Sequence, residues 1–584
     1  MLLIFLSVLI ITAVAFGWGS LFVPGRTLGD PLHEINLADL GFVGLFTLTF
    51  VGSLANFLIP LSEWFIVAVA LGGLALLAFR HAVVRGVLGQ YPLTVLIGFV
   101  VFAFVFSVFA HIREPHADTE LYHLPAITWL HTSNTPLGIA NIVGQLGFNS
   151  TWFVTAAMFW LPGLGLTAVF SVNAVVLTIL CTGLFQIAFT RRGGTVEPAA
   201  LFGVVGLAFL FTGGISFLKI IGSPNTDIPA ATLTIYAFYL ALRLAEIGPA
   251  GEEYRWRLSL LTMIAVFSVA IKLSQLPVVC LPAYFWLRQV RKEGIVIRAG
   301  TWGLWLTAGF AVVWMLRGLF SSGCLLFPQP FSCIASIPWA VSDSMPAEAQ
   351  WGVRSYGLYE MASGPKLGYS EWHWVGPWWE RFSSHHFVRG IAVFNVIVAL
   401  FFIAGATLRA FHARLAQAPP TAAALRANET SLVRVWRRRT FTLLMFSLVC
   451  LAYWFLFAPD IRFAYGFLAV ASVLVTLLAS SIVTANTRLL FARVLKATVG
   501  LALFILAVRM INEIDTSALV ARWPAIEAKT VPRATCPDFL GFWHLPECQG
   551  LMIMTGNSTL RKHSPARSSF HNLSALFQHG CFPD

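Results

Sequence analysis

Apolar residues in this chain come in blocks near twenty long, separated by short polar or basic stretches. A helix of that length crosses a hydrocarbon layer roughly 30 Å thick. Read this way, the expected spans are 1–17, 37–57, 61–79, 91–111, 167–189, 198–214, 227–246, 257–273, 275–289, 301–320, 388–409, 440–457, 463–484 and 490–510. The predicted fold class is all-α, a polytopic transmembrane bundle of about 12–14 spans with polar loops. The first apolar block, Met1 to Phe16, lacks a basic leader and a small-residue cleavage site, so it reads as a span and not as a signal peptide.

Composition agrees with the pattern. The chain has 584 residues, 58% hydrophobic and 11% charged, less than half of the ~25% charged residues of an ordinary soluble domain. Phe and Trp are abundant, as in the aromatic belts at membrane interfaces. A net charge of +12 raises nucleic acid as a partner. The basic residues are spread between apolar blocks and form no single face, which excludes that class and points to positive-inside sorting.

Sorting predicts the orientation. Arg80, Arg85, Arg191, Arg192, Arg255, Arg257, Arg288, Arg291, Lys292, Arg434, Arg437, Arg438, Arg439, Arg488 and Arg493 alternate with spans as cytoplasmic residues do. The long segments 112–166, 321–387 and 511–584 then share the opposite side. The tail carries Arg561, Lys562 and Arg567 there, but segments longer than about 60 residues escape the rule. The expected organisation is leading helices over 1–90, a core over 91–320 bearing the outer loop 112–166, an aromatic outer loop over 321–387, further helices over 388–510 and an outer tail over 511–584. Segment 410–439, with Pro419 and Pro420, reads as a polar linker. No internal repeat of the transporter kind is visible. Cys324, Cys333, Cys536, Cys548 and Cys581 all lie in the segments placed outside, which suits an oxidising compartment. The short-loop options are Cys324 with Cys333 and Cys536 with Cys548; spacing leaves the pairing open.

Ionisable residues at membrane depth cost about 2.5–3.5 kcal/mol each on insertion scales, so they are functional suspects. Four groups stand at the outer ends of spans. In the stretch from His111 to Pro125, Asp118 and Glu120 can accept a proton from a hydroxyl or be ordinary solvated loop acids. Two apart, they do not share a helix face. In the turn from Gly222 to Pro229, Asp227 is either a second working acid or an N-cap. Lys272 in Ile271-Lys-Leu-Ser274 either snorkels or offers a point charge to a phosphate, and Lys219 is a similar candidate. Arg462 in Pro459-Asp-Ile-Arg-Phe463 either pairs locally with Asp460 or presents a guanidinium fork to a lipid-linked phosphate.

The stretch Glu371 to Glu380 is dense in tryptophan. Trp372, Trp374, Trp378 and Trp379 suit sugar stacking or an interfacial helix. His111, His116, His123 and His131 have no zinc spacing. Neither a P-loop nor a dinucleotide fingerprint is present, which removes a nucleotide-driven pump. Asn428, Asn557 and Asn572 begin glycosylation triplets.

The stretch Asp118-Thr-Glu-Leu-Tyr-His123-Leu-Pro, followed by Thr135-Pro-Leu-Gly-Ile-Ala-Asn141 and Leu146-Gly-Phe-Asn149-Ser-Thr-Trp152, resembles a bacterial multispanning family grouped with the GT-C-type glycosyltransferases. The resemblance continues through Ser223-Pro224, Asp227, Lys272-Leu-Ser, Ser322 to Pro328 and Pro459 to Phe463. It implies an inverting transferase in the bacterial inner membrane, with a periplasmic site. The donor would be a polyprenyl-phosphate sugar, and the acceptor an envelope glycan, lipid or protein. Asp118 would be the general base with Glu120 as its competitor, and Asp227 a second acid orienting acceptor or metal. Lys272, Arg462 and Lys219 would hold the donor phosphate. Tyr122, His123, Asn149, Trp372, Trp374 and Trp378 would contact substrate. No cofactor is implied beyond an optional divalent cation. The catalytic loop of many GT-C enzymes follows the first span, whereas here it follows the fourth. The rival expectations are a transporter or flippase of an anionic or lipid-linked substrate, an O-antigen ligase or polymerase, and an envelope scaffold.

Overall fold

A computed structural model of the chain describes residues 1–23, 35–89, 92–112, 118–189, 197–294, 302–359, 366–368, 371–415 and 421–513. The described residues fold into helices, with one isolated antiparallel bridge, between Cys324 and Cys333. The helices are α1 (Leu2–Ser20), α2 (Leu37–Ala55), α3 (Glu63–Phe79), α4 (His81–Leu88), α5 (Pro92–Ile112), α6 (Leu124–Thr132), α7 (Thr151–Ala157), α8 (Gly165–Phe170), α9 (Val172–Phe189) and α10 (Pro198–Phe211). After them come α11 (Asp227–Glu246), α12 (Glu252–Ile271), α13 (Cys280–Glu293), α14 (Trp302–Ser322), α15 (Met345–Tyr359), α16 (Val375–Ser384), α17 (His386–Leu415), α18 (Thr421–Phe457), α19 (Ile461–Ser480) and α20 (Ala485–Glu513).

Eleven stretches are long and apolar enough to cross a membrane, α8 and α9 counting as one; the bent pair α3–α4, with a 69° angle at its break, makes up to twelve. The chain is a multi-pass helical membrane protein. The structure corrects two of the expected spans and shows the expected linker to be largely helical. The block 275–289 is no span: a 3-10 turn over Leu273–Val279 leads into α13, whose second half carries Arg288, Arg291, Lys292 and Glu293. The block 198–214 forms the 14-residue α10, which is shorter than a bilayer. The linker expected over 410–439 is largely helical, as the ends of α17 and α18, with 416–420 outside the described residues. Also outside them are the tail from 514 onward, with Cys536, Cys548 and Cys581, and His116 in 113–117.

Burial sorts the bundle into a centre and a rim. In α11, 94% of the most apolar stretch is buried, against 17% in α17 and 28% in α18 and α20. The rim helices expose Val393, Ile397, Leu400, Leu448, Leu501 and Phe504, as lipid-facing surfaces do. Helices α1, α2 and α3 touch through small residues, so the backbones meet directly. A Cβ on Gly44 would lie 1.8 Å from the Ala15 carbonyl oxygen, and one on Gly17 would lie 1.8 Å from that of Gly73. Gly44→Leu is therefore expected to cost at least about 3 kcal/mol by overpacking. Thermal unfolding in detergent measures it, and an unchanged midpoint would show that the backbones do not meet there.

The two ends of the bundle differ in character. At one end lie the termini of α5, α12 and α18 and the starts of α11 and α19. The other end holds the ion pairs Arg243–Glu246, Arg255–Glu293 and Arg257–Glu253. Cys324 and Cys333, in the segment after α14, are joined by a disulfide.

Candidate functional site

The turn Pro459-Asp460 between α18 and α19 organises the first end. Asp460 caps α19, its carboxylate accepting from the Arg462 backbone N–H at 2.9 Å. The other carboxylate oxygen accepts from Arg462 Nε and Nη2 at 3.3 and 3.1 Å. The guanidinium is thereby held by the residue that starts its own helix. Two indoles fix the turn: Trp454 donates to the Asp460 carbonyl at 2.6 Å and Trp378 to the Pro459 carbonyl at 2.8 Å. Helix α15 then closes on the turn through Gly357, where a Cβ would stand 2.7 Å from the Asp460 nitrogen. The neighbouring Tyr356 sets its ring 5.5 Å from the guanidinium carbon. Trp378→Phe leaves the Pro459 carbonyl without its indole donor. We expect a loss of about 1–3 kcal/mol in thermal unfolding; an unchanged midpoint would remove the indole from the support of the turn.

Asp118 reaches the same guanidinium from the connection between α5 and α6, its Oδ2 lying 3.5 Å from Arg462 Nη1. A π-turn over Thr119–His123 follows Asp118. The Thr119 hydroxyl bonds that of Ser223, whose carbonyl accepts from the Asn173 amide at 2.5 Å. The loop bearing Asp118 is thus tied to the turn before α11. In that turn the Asn225 side chain accepts from the N–H groups of Asp227 and Ile228 at 3.1 and 3.2 Å. Asn225 therefore does the capping, and the Asp227 carboxylate instead takes the Lys272 ammonium. Lys272 terminates α12 in an extended conformation, so it turns inward and does not snorkel. Its Nζ lies 3.7 Å from the centre of the Phe463 ring.

Of the residues singled out in the sequence, Asp118, Asp227, Lys272 and Arg462 thus meet at one end, from four separate segments. Tyr122 joins them electrostatically. Burial raises its phenol above the usual range, and the Asp118 and Asp227 carboxylates push the same way against Arg462. His123 is buried, its ring 5.2 Å from that of Phe153. The Glu120 side chain lies outside the described residues. Lys219 is exposed on the 3-10 turn Ile215–Ile220 and close enough to His385 to act on its charge. Asn149 has a left-handed φ of 50° and is clipped to α14, its amide donating to the Trp314 carbonyl at 2.7 Å and its own carbonyl accepting from the Trp314 indole at 3.1 Å. That places Asn149 in the chain's packing. Trp374 and Trp378 are 3% and 6% exposed, stacked among Phe455, Trp454 and Phe382, so a sugar cannot reach their faces. The stacking role read for them is corrected to a structural one; Trp372 stays half exposed. Among the described residues no group of three His, Cys, Asp or Glu side chains is placed to hold a metal ion.

The sequence reading left Asp460 out of the site because a residue two positions from Arg462 looked like a mere local partner. Tyr356 gave no signal at all, since nothing local marks a tyrosine on α15 that packs over a distant turn. With Asp460 counted, three carboxylates and two cations meet here among the described residues. Burial lowers the Lys272 ammonium and Arg462 works in the same direction, while Asp227 opposes them.

One family model, described as Domain of unknown function (DUF8201), matches residues 1–469, which include every member of this charged group. No curated protein and no solved structure matches the chain.

Proposed function

Since the chain belongs to the DUF8201 family, whose description carries no activity, we propose its function from the charged site: it moves a sugar from a polyprenyl-phosphate donor to a hydroxyl of an envelope glycan, lipid or protein. The observation that supports this is the meeting of Asp118 with Arg462 and of Asp227 with Lys272 at the end of a membrane bundle. A lipid-borne donor would bring its phosphate to that depth. In the reaction the acceptor oxygen bonds to the anomeric carbon as the bond from that carbon to the phosphate oxygen breaks. The hydroxyl proton passes to Asp118. The electron pair leaves with the polyprenyl phosphate, already an anion, which Arg462 and Lys272 stabilise without a general acid. A single displacement inverts the configuration. We place the site on the extracytoplasmic face of a bacterial inner membrane, following the basic loops at the other end of the bundle.

The donor phosphate has to compete for a guanidinium already engaged. Of the two carboxylates that the described residues bring to it, Asp460 makes two side-chain contacts at 3.1–3.3 Å and is 9% exposed, while Asp118 makes a contact at 3.5 Å and is 31% exposed. Asp118 is therefore the one that gives way. Phosphate binding then frees the carboxylate that must act as base, so the donor prepares the site for the acceptor.

The meeting of three carboxylates favours a second reading, a transporter in which a proton or cation balances the charged cluster. One assay separates the two. Purified protein in detergent is given radiolabelled polyprenyl-phosphate sugars and envelope acceptor. Label in the acceptor supports the transferase. Uptake by proteoliposomes without label transfer, across the available donors, would replace it with the transporter.

A further inference from the structure

The opposite end of the bundle carries an excess of basic residues that the proposed chemistry does not use. Three of its carboxylates are already engaged, Glu246 by Arg243, Glu253 by Arg257 and Glu293 by Arg255, and Asp39, Glu197 and Glu252 lie at the same end. Around them stand Arg288, Arg291 and Lys292 on α13 and Arg434, Arg437, Arg438 and Arg439 on α18. Among the described residues none of these seven makes an ion pair with a carboxylate. Arg291, Lys292, Arg434, Arg437 and Arg438 are exposed.

The two helices are in register there. Tyr284 of α13 packs on Phe446 of α18 with ring centres 5.4 Å apart. Arg288 lies one turn beyond Tyr284, with its guanidinium carbon 5.8 Å from that ring. Arg439 reaches from α18 to the Glu246 carbonyl at 3.5 Å, and its charge and that of Arg288 act on one another. Guanidiniums from two different helices thus lie near one level of the bundle, Arg288 over Tyr284 and Arg439 at the end of α11, where the Glu246 carboxylate also acts on Arg439. Trp436 lies on the same turn of α18, its ring 5.4 Å from the guanidinium carbon of the buried Arg488. Apolar surface begins immediately beyond, with Phe441, Met445 and Leu448 exposed on α18 and Leu287 on α13. Unpaired cations bordering lipid-facing apolar surface match the two halves of an anionic phospholipid.

We propose that the α13–α18 face is a binding site for an anionic phospholipid headgroup, its phosphodiester bridging Arg288 and Arg439 and the surrounding cations supplying long-range attraction. A guanidinium fork donates two parallel hydrogen bonds to a pair of phosphate oxygens, which an ammonium cannot do. The acyl chains would lie along the exposed residues of α18. This site is separate from the Asp118–Arg462 group and does not depend on the transferase reading.

The test uses the full chain. Wild type, Arg288→Gln/Arg439→Gln and Arg288→Lys/Arg439→Lys are purified in detergent, and retained phospholipid is quantified by mass spectrometry. Each is also placed in nanodiscs of phosphatidylcholine alone or with phosphatidylglycerol, and thermal unfolding is followed. Wild type should retain anionic phospholipid and unfold at higher temperature in the phosphatidylglycerol discs. The glutamine pair should lose about tenfold or more of the retained anionic lipid and show no difference between discs. The lysine pair should keep the charge-dependent part of both effects. Equal retention by wild type and the glutamine pair would overturn the proposal. So would a wild type that unfolds alike in both discs. Millimolar inorganic phosphate reproducing the shift in phosphatidylcholine discs would overturn the lipid assignment. If the glutamine pair is misfolded, Arg437→Gln/Arg438→Gln, at two exposed positions, should still lower retention; no change there would count against the site.

Discussion

Asp118→Asn is expected to abolish sugar transfer while tightening donor binding. The asparagine keeps the shape but cannot take the acceptor proton, so transfer should fall by about 10²–10⁴. The same change removes the carboxylate that competes with the donor phosphate for Arg462. Asp118 is partly exposed, and pairs of that kind are worth about 0.2–1 kcal/mol, so affinity for polyprenyl phosphate should rise by up to about fivefold. Single-turnover transfer and equilibrium binding of polyprenyl phosphate measure the two effects separately. Loss of transfer with weaker donor binding would put Asp118 on the phosphate side of the site. Unchanged transfer would remove it from the chemistry.

The second large effect concerns Asp227 and Lys272. Both are mostly buried, at 7% and 18% side-chain exposure. Removing either charge alone takes from the other its ion-pair partner, and breaking a buried pair costs about 3–5 kcal/mol. Lys272→Met and Asp227→Asn should each lower the thermal midpoint sharply. The double variant should regain most of the loss, because no charge is left without a counterpart. A double variant as unstable as the sum of the singles would show that the two groups act independently. Activity should not return with stability, since the leaving phosphate would still lack the Lys272 charge.

Hydropathy alone located most of the bundle. Blocks such as 37–57, 91–111 and 227–246 fall within a few residues of α2, α5 and α11. It failed where an apolar average hid a local decision. The sequence around Lys272 reads as continuous apolar chain, but Pro277 and the inward lysine break it into a 3-10 turn and a short polar helix. In the site, Asp118, Asp227, Lys272 and Arg462 were visible because charge at a span end is costly and therefore conspicuous. Trp374 and Trp378 misled because tryptophan density looks the same whether the rings face solvent or one another. Only tertiary packing, through Phe455, Trp454 and the Pro459 carbonyl, distinguishes those cases. Asn225 and Asp227 show the same limit at short range. Either can cap a helix, and Asp227 is released from capping by a lysine 45 residues away.

The separations along the chain also set an order of biogenesis. Asp227 and Lys272 belong to consecutive helices, so their charges neutralise each other as soon as that hairpin leaves the insertion machinery. Asp118 has to wait for a guanidinium 344 residues downstream. A ribosome must therefore deliver α19 before Asp118 meets Arg462. Every product that ends earlier lacks the contact joining the connection after α5 to the start of α19, so this end of the bundle closes only when the last third of the chain is being made.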